Sequence, residues 1–367
     1  MFIIKDQNCD GGWSSMKGSF NFYEKQESND KKEPVSDAAT TAIVSMAILR
    51  SGSDLEKGKF SIPLRNGLDY ILRSVEKPEK SVNLSTHATT QIQMKLGNNI
   101  DCILSAQFLG NILNKTAHDP ELQTRVEKNL QSCLKNIQDR QNKDGSMKGQ
   151  GWAGVLQSGF ANSALETASK QGIEIDLEKF EKSKTYNIGN YNPKTNTVNT
   201  DLGAGIVLYS VSGSVRASAS DAKKVKKDMQ KAIDNGVIQK DQKVTAKTLQ
   251  KIGYSQADAA KSATAYQVNE EAKNLAQQKD IITGFGNNGG EEFLSFLQTG
   301  ESLIISGDDT WKNWYEKTST SLLEIQNENG SWNGHHCITS PSFCTATCLL
   351  ILSIENDINS LTAMGND

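Results

Sequence analysis

The amino-acid sequence predicts an all-α protein assembled from about six helical hairpins. Three observations carry this expectation. A turn with one grammar occurs three times, as Gln7-Asn8-Cys9-Asp10-Gly11-Gly12-Trp13, Gln141-Asn142-Lys143-Asp144-Gly145-Ser146-Met147 and Gln326-Asn327-Glu328-Asn329-Gly330-Ser331-Trp332. The second and third copies follow helix-period apolar segments, and each copy is followed by a segment rich in small residues. No stretch shows the period-two alternation of a half-buried strand. With the copies starting at positions 7, 141 and 326, one unit is about 62 to 67 residues if two and three units separate them.

The elements follow in order from this grammar. Val126, Leu130, Cys133, Leu134 and Ile137 form the apolar stripe before the second turn; Trp314, Leu322, Leu323 and Ile325 form it before the third. Asp-Gly or Asn-Gly then ends the helix, because glycine accepts the left-handed conformation. The inner helices that follow are expected over Asp37 to Leu49, Gly159 to Ser169 and Phe343 to Ile354, where Ala and Ser allow close approach. Leu64 to Val75 reads as an outer helix with Ile100 to Leu113 as its inner partner. Leu202 to Val211 reads as another inner helix after the Asn- and Thr-rich loop 187–200. The Lys/Ala/Gln-rich stretch Val215 to Gln278 predicts amphipathic helices with one solvated face. Glu291 to Leu303 reads as the next inner helix, and Asn356 to Asp367 as a loose polar tail behind a single domain over residues 1–355. The turn glutamines are expected to cap backbone groups, and the turn tryptophans to cover joints between hairpins. Because Gln7 leaves no room for a preceding helix, the chain is expected to start inside a unit. A longer native N-terminus with an export signal, and a periplasmic or secreted location, would follow from that; otherwise the protein is cytoplasmic.

Composition removes several classes. The 40 basic and 43 acidic residues leave a net charge of −3, which argues against a partner bound by phosphate neutralisation, so no nucleic acid is expected. No apolar run approaches the roughly 20 residues of a membrane-spanning helix, and Met1 to Asp10 does not resemble a signal peptide. Of the six cysteines, Cys102, Cys133 and Cys348 fall on apolar helix faces as buried thiols.

The Gln-x-x-x-Gly-x-Trp turns, with following segments such as Ser36-Asp37-Ala38-Ala39-Thr40-Thr41-Ala42, resemble the prenyltransferase/squalene-cyclase (terpenoid cyclase-like) repeat superfamily. The resemblance covers most of the chain and is specific near residues 7–52, 130–170 and 284–355. It implies an α/α toroid of about six helical hairpins, with a funnel lined by the N-termini of the inner helices. Gly289-Gly290-Glu291-Glu292-Phe293-Leu294-Ser295 and Gly334-His335-His336-Cys337-Ile338-Thr339 are similar to a group of bacterial repeat proteins that are commonly exported.

The chemistry of that superfamily is only partly matched. Asp308-Asp309-Thr310 carries just the tail of an Asp-x-Asp-Asp proton donor and reads as the N-cap of an outer helix. Aromatic residues are 7% of the chain, and no inner helix clusters them, which argues against cation cyclisation. The segment Phe343 to Leu349 is similar to the zinc helix of protein prenyltransferase β-subunits, with Cys344 in the histidine position. The Asp-x-Cys element of those subunits and a basic cluster for a diphosphate are both missing. Zinc held by Cys344 and Cys337 with His335 or His336 remains one reading of this region. A Cys337–Cys344 disulfide in an exported protein is another, and the two exclude each other. A complement-type thioester is excluded by the missing Cys-Gly-Glu-Gln.

In a toroid the polar residues at inner-helix starts would converge: Asp37, Asp101, Asn162, Asp201, Glu291 and Glu292. Acidic residues there also stabilise helix N-termini. Glu291 and Glu292 are candidate acid–base groups, since crowded carboxylates raise at least one pKa, and the preceding run 284–290 is glycine-rich, as loops that approach ligands often are. His335 and His336 are candidates because imidazole titrates near neutrality; His87 occupies a similar loop, whereas His118 reads as a surface turn residue. The candidate catalytic set is therefore Glu291, Glu292, His335, His336, Asp37 and Asp101, with Cys337 and Cys344 as metal candidates. The function expected is a polar central funnel of prenyltransferase-like ancestry that takes an apolar or polymeric ligand. The alternatives are a non-catalytic exported binding scaffold and a glycan-acting toroid. The last would need basic and aromatic residues along an open groove, and two of the five tryptophans already belong to turns.

Overall fold

The computed structural model describes residues 2–19, 35–77, 90–149, 151–286 and 288–365, and among them the chain is mostly helical. The helices in chain order are α1 (Phe2–Lys5), α2 (Ala38–Arg50), α3 (Ser61–Val75), α4 (Gln91–Leu96), α5 (Ile100–Leu113), α6 (Pro120–Asp139), α7 (Gly154–Lys170) and α8 (Leu177–Gly189). A two-stranded hairpin, β1 (Tyr191–Asn192) and β2 (Thr197–Val198), follows. Then come α9 (Val207–Asp234), α10 (Ala246–Lys251), α11 (Gln256–Leu275), α12 (Lys279–Ile282), α13 (Gly290–Ile305), α14 (Trp311–Glu324), α15 (Pro341–Leu352) and α16 (Ile358–Met364).

Two kinds of helix alternate. α2, α5, α7, α13 and α15 are buried around almost their whole circumference, as expected for segments that are apolar or small on every side. α3, α6 and α14 bury one stripe and expose the other; on α6 the stripe is Val126, Leu130, Cys133, Leu134 and Ile137. α2 packs on α5, α5 on α7, α7 on α9, α9 on α13, α13 on α15, and α15 on α2. The half-exposed helices lie against this series: α3 on α2, α6 on α5, α8 on α7 and α9, α11 on α9, and α14 on α13 and α15.

The repeated turn has one construction in all three copies. Gly11, Gly145 and Gly330 adopt φ of +89°, +96° and +82°, a region that disfavours any residue with a Cβ. The first asparagine of each turn donates its N–H across it, Asn8 to Gly12 O at 2.9 Å, Asn142 to Ser146 O at 2.8 Å and Asn327 to Ser331 O at 2.9 Å. The glutamine amide then bonds the glycine carbonyl, from Gln7 to Gly11 at 2.8 Å, Gln141 to Gly145 at 3.1 Å and Gln326 to Gly330 at 3.1 Å. In the first two copies the same amide also reaches the next outer helix, at Pro63 O of α3 and Lys179 O of α8. Trp13 and Trp332 are buried, and each indole N–H donates at 2.7 Å to a carbonyl ten residues earlier, Ile3 O and Leu322 O. Their backbone N–H groups, and that of Met147, bond to a hydroxyl on the following inner helix: Thr41, Thr345 and Ser158.

Several expectations change. The inner helix expected over Leu202 to Val211 starts at Val207 and runs 28 residues to Asp234. Residues 203–206 are a turn, with Ala204 and Gly205 at positive φ, while buried Val211, Val215, Ala222, Val225 and Met229 extend one helical stripe. The β1–β2 hairpin has two residues per strand, too short for any alternation to register. The inner helix expected through Ile354 ends at Leu352 and is followed by a 3-10 turn, Ile354–Asp357, that buries Ile354; of the residues expected as a loose polar tail, Ile358–Met364 form α16, which buries Leu361. The segment Asp308-Asp309-Thr310 does cap α14, with Thr310 as the N-cap residue; Asp308 accepts the Thr310 N–H at 2.9 Å and pairs with Lys273.

A buried ionic cluster ties the C-terminal halves of several inner helices to this last segment. Arg50 of α2 reaches Glu301 of α13 at 2.8 Å, Asp357 at 2.5 Å and the Leu350 carbonyl of α15 at 3.1 Å. Arg216 of α9 pairs with Glu166 of α7 at 2.5 Å.

The turn geometry sets a stability test. A Cβ on Gly145 would lie 2.1 Å from the Lys182 carbonyl oxygen of α8, whereas Gly172, at φ +76°, has nothing within 4 Å. Gly172→Ala is expected to cost about 1 kcal/mol from backbone conformation alone, and Gly145→Ala more than about 3 kcal/mol. Urea unfolding of the two variants measures the difference.

Candidate functional site

The start of α13 sets Glu291 and Glu292 side by side, both fully buried. Glu292 is firmly held: its Oε1 accepts the Tyr209 hydroxyl at 2.5 Å and the Phe285 N–H at 2.9 Å. Its Oε2 makes no hydrogen bond and lies 3.8 Å from His336 Nε2. Glu291 Oε2 accepts the Ile338 N–H at 3.2 Å, while Oε1 is buried without a hydrogen bond. The glycines before this pair are explained by it. A Cβ on Gly284 would stand 2.4 Å from Glu292 Oε1, and one on Gly289 would stand 2.8 Å from Oε2 and 2.9 Å from His336 Cε1.

An aromatic series leads outward from the carboxylates. Trp152, just before α7, meets Tyr209 and Phe285 edge to face with centroids 6.5 and 5.4 Å apart, and Phe285 meets His336 at 5.0 Å. Lys95 of α4 sits over the Trp152 ring at 5.3 Å. Trp152 and Phe285 are 38% and 54% exposed, so the series has a solvent face for an apolar ligand to meet.

The electrostatics follow from burial. Loss of water, and then the neighbouring Glu292 charge, push the Glu291 carboxyl up to about 8, so it holds its proton at neutral pH. Burial and the two carboxylates drive the Tyr209 phenol far above its usual range. Desolvation pushes His336 below the usual imidazole value, with His335 and Lys95 adding to it against the pull of Glu292. The His336 ring is therefore neutral, and neither nitrogen makes a hydrogen bond. A proton held on Glu291 and an unprotonated imidazole beside Glu292 give the site a potential donor and a potential acceptor.

The other expected site residues lie elsewhere or act differently. Asp37 caps α2, accepting N–H groups from Thr40 and Ser15 at 2.7 Å each. Asp101 accepts the Gln93 amide at 2.7 Å; with burial, the charges of Asp37 and Asp101 raise the Tyr70 phenol rather than serving the glutamate pair. His335 is exposed and donates its backbone N–H to Asn288 O at 2.8 Å. His87 lies outside the described residues. Tyr209, Trp152, Phe285 and Lys95 were not anticipated. Tyr209 is a polar residue at an inner-helix start, the criterion that selected the acids, and could have been found by it.

The cysteines do not fit zinc. Among the described residues no group of three or more His, Cys, Asp and Glu side chains is arranged to hold a metal ion. Burial and Glu291 push the Cys337 thiol up to about 12, and burial likewise raises Cys344, so both hold their protons. Cys337 and Cys344 are both free thiols, so the disulfide between them is not formed either. Comparison with protein-family models, with characterised proteins and with solved structures found no match to this chain.

Glu291 gives a pH signature. Its folded-state pKa of about 8 exceeds the ordinary 4.5, so the folded state holds an extra proton between these values. Its contribution is complete below pH 4.5 and is lost as pH rises to about 8, with a slope of at most about 1.4 kcal/mol per pH unit. Glu291→Gln should flatten this part of the stability profile, measured by urea unfolding from pH 5 to 9; a profile unchanged by the substitution would assign the proton elsewhere.

Proposed function

We propose that the chain is an α/α toroid of prenyltransferase/terpenoid-cyclase-like ancestry, with an acid–base site for an apolar ligand at the Glu291–Glu292 pair. The cyclic order of helix packing, from α2 through α5, α7, α9, α13 and α15 back to α2, supports the ring. The observation that carries the chemistry is the buried Glu291 carboxyl, protonated at neutral pH, beside an anchored carboxylate and a neutral imidazole. In this reading Trp152 and Phe285 receive the apolar part of the ligand. Glu291 donates its proton to a carbonyl oxygen of the ligand while His336 takes a proton from the adjacent carbon; the electron pair of that C–H bond forms the carbon–carbon double bond of an enol, and the carbonyl π pair forms the new O–H bond. Reversal of both transfers restores the carbonyl, the Glu291 proton and the neutral His336.

A non-catalytic binding scaffold is the second reading, favoured by the way Glu292 Oε1 is used up in holding Phe285 and Tyr209. One experiment separates them. Geranylacetone, an apolar isoprenoid ketone, is expected to quench Trp152 fluorescence saturably, with the signal lost in Trp152→Phe, and to exchange the hydrogens beside its carbonyl for deuterium from heavy water. Glu291→Gln should leave binding within about threefold while lowering exchange at least about 100-fold. Binding without exchange selects the scaffold, and no saturable quenching removes the apolar-ligand reading.

A further inference from the structure

A second site lies at the other end of the inner helices. A cavity of about 700 Å³ is lined by the C-terminal halves of α2, α5 and α7, by α13 and α15, and by the last segment through Asp357, Leu361 and Met364. This is within the roughly 300–1,000 Å³ of small-molecule sites. Along α13, Glu301 on its wall is nine residues beyond Glu292, about 13 Å of helix. Between the two regions α7 and α13 meet directly: a Cβ on Gly159 would lie 2.7 Å from the Gln298 amide nitrogen. The cavity is therefore separate from the glutamate pair.

We propose that this cavity binds a neutral polyhydroxylated molecule of one or two sugar rings. The charges around it are already matched, Arg50 by Glu301 and Asp357, and Arg216 by Glu166. A charged ligand would have to break into one of these buried pairs and leave a charge uncompensated. The lysines on the wall, Lys115 and Lys170, are exposed and belong to the rim. Beside these paired charges the lining carries uncharged groups: the amides of Gln107 and Gln171, the hydroxyls of Ser163 and Thr167, apolar Phe160 and, at the mouth, Asn111. Amides supply donor and acceptor together, the pairing that vicinal hydroxyls require, and an aromatic ring suits the C–H face of a sugar.

Two polar atoms on the wall have capacity to spare. Gln171 donates to the Gly110 carbonyl at 2.8 Å, but its buried Oε1 accepts nothing. Arg216, 2% exposed, has a buried Nε without a hydrogen bond, with Glu301 Oε2 3.9 Å away. Buried polar groups are ordinarily satisfied, so an unfilled acceptor and an unfilled donor on one cavity wall point to a ligand carrying both functions.

Calorimetric titration of the full chain with glucose, maltose and myo-inositol, against glucuronate and glucosamine as charged counterparts, tests this. At least one neutral probe should bind saturably and more tightly than both charged ones. Asn111 is exposed at the mouth, so Asn111→Trp should obstruct entry and raise Kd at least about tenfold with an unchanged melting curve. Asn114→Trp, on the next exposed position, is the second variant should the first melt early. The proposal is overturned if no neutral probe binds, if a charged analogue binds best, or if binding survives the folded mouth variant.

Discussion

Each recurring turn depends on a glycine held in the left-handed region, and much of the architecture follows from that backbone constraint. At Gly145 the neighbouring helix comes so close that no side chain fits. The glutamine that opens the turn spends its amide on the turn itself and, in two copies, on the next outer helix. One short motif therefore sets three things together: where the outer helix stops, how the chain re-enters the interior, and how adjacent hairpins are spaced. The hydroxyls of Thr41, Ser158 and Thr345 extend this control to the inner helices by fixing where the re-entering strand of chain meets them.

The glutamate pair shows how position and environment oppose each other. A helix N-terminus favours negative charge, yet complete burial and a second carboxylate next door favour the neutral acid, and for Glu291 the latter wins. Glu292 keeps a hydroxyl and a backbone N–H as donors. Two adjacent, chemically identical side chains thus meet different partners, Glu292 a phenol and a backbone N–H and Glu291 a single backbone N–H.

Legibility in the sequence followed the range of the interactions. The hairpin grammar was readable because turns and helix stripes are local: α5 begins and ends where its apolar segment does, and the turn residues form the bonds their types suggest. Glu291, Glu292 and His336 were readable as neighbours because the repeat brings one inner-helix start beside the next. What escaped was set by tertiary packing. Trp152 and Phe285 sit in loops with no periodicity to reveal them, and α16 looked polar because its burial rests on two residues, Ile354 before it and Leu361 within it, together with an ion pair to Arg50. The glycine-rich run 284–290 suggests a ligand, whereas Gly284, Gly286 and Gly289 make room for Glu292 and His336.

Helix α2 packs against both α5 and α15, and Arg50 at its end reaches partners some 250 to 307 positions downstream. During synthesis on a ribosome, then, one flank of α2 must wait for a neighbour made some 300 residues later. Until that moment the nascent chain presents an uncovered apolar edge and an arginine lacking its counter-ions, making it a natural client for chaperones and a place where copies emerging together could exchange their final helices.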